Sequence, residues 1–232
     1  MGLREKQSDE RKRRILNVAD ALIRQTGGTE FSMRMLAEMS EVSPATPYNL
    51  FGSKDGVLSA SLARSLSMLV VEGLAVRSAQ PLDFVISANE VAVNRLVAEK
   101  ELLRPLYLYL LGVVDPLHRP LHIKSSLYFW RTVAETAGGN GLGLVECDML
   151  STMLFAHFLG LLELWIHQDI DDESFKARAV QGSLLIVSPF IPADQQGALQ
   201  ERLASARLAF EKVLRQKPKK PRKPVSPETD QQ

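Results

Sequence analysis

The chain has 232 residues, 45% hydrophobic and 24% charged, with a formal net charge of +1. Such a length and balance exclude a fibrous or wholly disordered chain and fit one large globular domain or two smaller ones. The single cysteine, Cys147, excludes an internal disulfide and points to a reducing compartment, and the polar start MGLREKQSDERKRRIL has no apolar signal core.

The charge is unevenly placed. Residues 1–64 hold 10 Lys/Arg against 8 Asp/Glu, residues 65–211 hold 11 against 17, and residues 212–224 hold 7 against none. A basic start, an acidic middle and a basic end suit different partners.

Taken in chain order, nearly every segment has helical period and none alternates as a strand, so an all-α fold is expected. Ile15, Ala19, Leu22 and Ile23 form one apolar face, with Ser8 or Asp9 as the expected cap and Gly27-Gly28 as the stop. Ser32 opens a short second helix with Met33, Leu36 and Ala37 inward, and Glu41-Val42 gives a brief turn. Ser53 caps a long helix from Lys54 to about Arg77, with Asp55 in the first turn where the helix dipole favours a negative charge. Beyond Pro81 the pattern gives helices near 82–99, 102–112, 117–137, 144–168, 173–190 and 194–215, punctuated by Pro105, Pro116, GGNGLG, DIDDES and Pro192. The tail KPKKPRKPVSPETDQQ is rich in proline and charge, and disorder is expected over 216–232.

The stretch VSPATPYNLFGSKDGVL raises a sharper question, because Pro44 and Pro47 stand where the flanking sequence is helical. Ser followed by Pro is a helix start: the missing N–H had no partner in the first turn. Thr46-Pro47 repeats the signal, so a short helix begins at Ser43 or towards Thr46, preceded by a helix and a tight turn. That is a helix-turn-helix, spanning Ser32 to Phe51. The N-terminal end of such a second helix enters the major groove. Ser43, Ala45, Thr46, Pro47, Tyr48 and Asn49 are therefore the candidate DNA contacts, with Arg34 on the preceding helix and Lys54 at the next helix start. The basic run Arg11 to Arg14 is a further candidate for phosphate.

The run RRILNVADALIRQTGGTEFSMRMLAEMSEVSPATPYNLFGSKDGVL resembles the N-terminal domain of the TetR family of bacterial transcriptional regulators (TetR/AcrR-like). The matching features are the Arg-Ile-Leu start, Ser32 with Leu36-Ala37, the Val42-Ser43 turn, Thr46-x-Tyr48-x-x-Phe51 and Ser53-Lys54. Asn49 and Leu50 stand where members commonly carry an aromatic and often a histidine, and Pro47 where an aliphatic residue is usual. The resemblance implies a three-helix DNA-binding domain at 9–69 and a larger helical effector-binding and dimerisation domain at 70–215. It further implies a cytoplasmic homodimer on a palindromic double-stranded operator, acting as a repressor released by a small effector.

In the C-terminal part Tyr107, Trp130, His157 and Phe158 are the candidate effector residues, drawn from a wider set that includes Tyr109, Phe129 and Trp165. The apolar helices suggest a hydrophobic or amphipathic ligand. The run MLSTMLFAHFLGLLELWI, 149–166, is long enough to span a membrane but holds His157 and Glu163, and reads as a core or interface helix. His118 and His122 lie four apart near Asp115, yet Pro116 and Pro120 interrupt them, so neither a metal site nor a cofactor is expected. The alternative class is an all-helical carrier or enzyme using the N-terminal motif for packing; no nucleophile elbow or nucleotide loop supports catalysis.

Overall fold

The structure, a computed structural model, describes residues 2–215 except 77, 79, 114, 140 and 141. The basic tail at 216–232 and part of the glycine-rich loop lie outside the described residues. Among the described residues there are ten α-helices, two short 3-10 turns and no strand.

The first helix, α1 (Leu3–Thr26), begins earlier than the expected Ser8 or Asp9 cap. The Glu5 carboxylate accepts from the Gly2 backbone N–H at 2.7 Å, satisfying an end that would otherwise have been orphaned. Gly27, at φ 71°, stops it as its sequence suggested. Next come α2 (Met33–Met39), α3 (Ala45–Phe51) and the long α4 (Lys54–Leu74). Ile15, Ala19 and Ile23 of α1 bury against Leu36 of α2 and Val57 and Leu58 of α4, which makes the core of this end. Polar ties on the rim hold the same pair of long helices. Arg64 of α4 donates to Asp20 at 2.6 Å and Asn17 at 2.8 Å, and Ser61 donates to Asp20.

The remainder is a bundle of α5 (Pro81–Ala98), α6 (Lys100–Leu111), α7 (Arg119–Gly138), α8 (Leu144–Ile166), α9 (Asp172–Val187) and α10 (Gln196–Arg215). Pro105, expected at a helix boundary, lies inside α6. Pro120 stands in the first turn of α7, where its missing N–H costs nothing. An aromatic chain joins α7, α8 and α9: Trp130 to Phe158 at 5.1 Å, Phe158 to Phe175 at 5.5 Å and Phe175 to Trp165 at 5.3 Å. Buried Asn89 of α5 accepts from Ser183 of α9 at 3.0 Å and donates to the Val85 carbonyl, so the polar pair leaves no orphan and sets the register of the two helices. By length and composition both α4 and α8 could cross a membrane, and both pack into this bundle.

Ser32 and Ser53 each accept from a backbone N–H three residues on, at 3.1 Å. Replacing either with alanine is expected to lower stability by about 1 kcal/mol in urea unfolding. Gly56→Ala is expected to cost more, because a Cβ there would collide with the Phe51 carbonyl, which is backbone and has no rotamer to escape into.

Candidate nucleic-acid interface

The turn between α2 and α3 is closed by its own backbone. Glu41 sits at φ 51°, its N–H reaches the Glu38 carbonyl at 3.0 Å, and the Val42 N–H reaches Ala37 at 3.0 Å. This is a complete Schellman motif with glutamate at the left-handed position. At the start of α3 the Thr46 N–H donates to the Ser43 carbonyl at 2.9 Å, and the two hydroxyls share a 2.8 Å hydrogen bond. Pro44 already has helical angles, so the first proline sits in the opening turn.

This geometry sorts the candidates. Arg34, Ser43, Ala45, Tyr48 and Asn49 are exposed, with Tyr48 53% exposed, and Thr46 is half-buried through its bond to Ser43. Pro47 differs from its expected role. It is buried, because the residue that follows Thr46 on a helix beginning at Ala45 turns a further hundred degrees inward, so its ring packs within the protein and is not presented to a groove.

Lys54 is half-buried, with its ammonium 5.3 Å from the Phe31 ring and 5.9 Å from the Tyr109 ring. The Tyr109 hydroxyl donates to Asp55 at 2.7 Å. That hydrogen bond is the main cause of the upward shift of the phenol. Tyr109, one of the wider effector set, therefore serves to tie α6 to the first turn of α4. A second tie lies one turn on. Ser59 of α4 donates to Asp115 at 3.1 Å, and His122 of α7 meets the Ser59 carbonyl through Nε2 at 3.2 Å. A carbonyl only accepts, so this nitrogen carries the proton. Asp115 also takes the His118 backbone N–H at 2.9 Å, the leading cause that holds its carboxyl down to about 2, and the His118 ring at 2.8 Å.

Against the far side of α4 lies a cavity of about 100 Å³. Three of the candidate effector residues, Tyr107, Trp130 and Phe158, line it. His157 does not: its Nε2 meets the Arg178 carbonyl at 3.3 Å and its ring covers Gly182, so it faces α9. Adjacent residues on a helix point about 100° apart, and Phe158 alone of the two reaches the cavity. Trp165 turns away as well, donating to Asp172 at 2.8 Å. Sequence reasoning missed Ser59, Leu66, Arg119, His122 and Ser126 in the lining. The spacing of 119, 122, 123 and 126 along α7 was the available signal. Among the described residues no group of three His, Cys, Asp or Glu side chains is arranged to hold a metal.

An outward-facing recognition helix on a closed turn, seated on a three-helix core, defines a helix-turn-helix DNA-binding protein. Residues 15–60 match the family described as bacterial regulatory proteins, tetR family. This match supports a DNA-binding transcriptional regulator of the TetR family. Comparison with curated proteins found no match.

Tyr109→Phe keeps the ring beside Lys54 and removes the bond to Asp55. It is expected to lower stability by about 1 kcal/mol in chemical denaturation, whereas Tyr109→Leu, which also removes the ring from Lys54, should cost more.

Proposed function

We propose that this regulator is a homodimeric repressor that binds a palindromic operator in the cytoplasm and leaves it when a small effector enters the cavity. One observation carries the reading. The helix α4 begins against the recognition helix, at Gly56 and Phe51, and the same helix lines the cavity from Ser59 to Val70. A ligand that widens the cavity must displace α4 or work against it, and tilting α4 moves α3. Coupling of this kind amounts to about 1–3 kcal/mol in typical cases.

Arg34, Ser43, Ala45, Thr46, Tyr48 and Asn49 are the proposed DNA contacts. Lys54 contributes through the N-terminal end of α4, its charge shared with two aromatic faces. Pairing is assigned to the outer surface of α8 and α9. Leu144, Val145, Met149, Met153 and Leu185 are exposed there, an apolar stripe too large to leave wet. Two copies related by a twofold axis would set their recognition helices about 34 Å apart, one turn of the duplex.

The test is a gel shift with DNA from upstream of the protein's own gene, at two salt concentrations. Sequence-dependent binding that weakens with salt is expected, and Tyr48→Ala should lower affinity about tenfold, the scale of one lost contact, with no change in thermal midpoint. Binding unaffected by Tyr48→Ala would remove α3 from the interface. In sedimentation the parent should run as a dimer and Val145→Glu, at a site 76% exposed, as a folded monomer with weakened operator binding.

A further inference from the structure

The cavity has a direction. On α4 its lining residues run from Ser59 to Val70, and on α7 from Arg119 to Trp130. Each set spans eleven steps of one helix face, about 16 Å. A volume of about 100 Å³ stretched over that path is narrow. It suits a chain or a single ring in file. One end, beside Ser59, Asp115, Arg119 and His122, is polar; the other, beside Leu69, Val70, Phe129 and Trp130, is apolar apart from one indole N–H.

The polar atoms left over at the lining say what the ligand brings. Asp115 already accepts from Ser59, from the backbone N–H groups of Leu117 and His118, and from the His118 ring, so its oxygens are occupied. Arg119 is exposed at this end, and the neighbouring Asp115 is paired with His118 instead. Arg119 borders both the cavity and the outer groove that holds Glu163, and Glu163 is engaged with His167 at 3.1 Å. Deeper in, Tyr107 is 9% exposed and Trp130 2% exposed, so a hydroxyl and an indole N–H stand in the wall. His122 holds its proton on the nitrogen facing Ser59, and burial favours its neutral form. An anionic ligand would pair with the exposed Arg119 guanidinium, while the Asp115 charge beside it is stabilised by its four hydrogen bonds.

Resting on the cavity being the effector site, we propose that the effector is an elongated apolar carboxylic acid, bound as its anion with the carboxylate at Arg119 and the chain running along α4 towards Trp130. The head group then lies beside the Ser59, Asp115 and His122 node that ties α4 to α7, where its hydrogen bonds compete with that tie. The tail fills the narrow apolar end. Recognition and release would share one set of atoms.

The experiment uses the full chain and three probes of equal length below their aggregation limits: octanoate, octylamine and octan-1-ol. Binding is followed by calorimetry and by tryptophan emission, to which Trp130 in the cavity wall contributes. Octanoate is expected to bind at least tenfold tighter than either other probe, which is the scale of one charge-assisted pair. Arg119→Met, a change at an exposed position, should bring octanoate down about tenfold to the level of octanol and leave octanol unchanged. Octylamine or octanol binding as tightly as octanoate would overturn the carboxylate assignment while leaving the cavity in place, and so would an Arg119→Met protein that keeps the preference. If none of the three bound, the effector reading of the cavity would fall, and this inference with it.

Discussion

The close seating of α4 under α3 governs this molecule. Gly56 lies so near the Phe51 carbonyl that no side chain fits between them, and Gly52, at φ 76°, turns the chain sharply enough to bring the two helices together. The recognition helix is only seven residues long and makes too few hydrogen bonds to persist alone. Its position is borrowed from α4, and α4 in turn is held by Asp20 of α1, Tyr109 of α6 and Asp115 in the loop before α7. What moves α4 therefore moves α3 and the exposed side chains on it.

The ties along α4 are graded. Near its start the Tyr109–Asp55 bond and the two aromatic faces around Lys54 join it to α6. One turn later Ser59 joins it to the Asp115 loop and to α7. Further along, Gly73 lets Phe129 approach so closely that an added Cβ would lie 2.5 Å from the ring. These polar ties add to packing at both ends of α4, by Val57 and Leu58 near its start and by Phe129 against Gly73 near its end.

Much of this was legible along the chain. Helical period announced ten helices within a few residues, and Ser32, Ser53 and Gly27 marked their ends because capping is a local event among near neighbours. The motif from Ser32 to Lys54 also carried its own identity. Three elements were misjudged: Gly2 with Glu5 started α1 before the expected cap, Pro105 lies inside α6, and Pro47 turned inward on α3.

The sequence by itself determined the fold class, the helix-turn-helix and the family, since these depend on periodicity, caps and turns written within a few residues of one another. Only the tertiary structure decided which aromatics face a cavity and which face a neighbour. Phe158 and His157 are adjacent in the chain and part by rotation on one helix; Tyr107 and Tyr109 part in the same way, one towards the cavity and one towards Asp55. Helical period tells which residues share a face. It does not tell what that face meets, because the partner lies dozens of residues away and is chosen by the packing of the whole bundle.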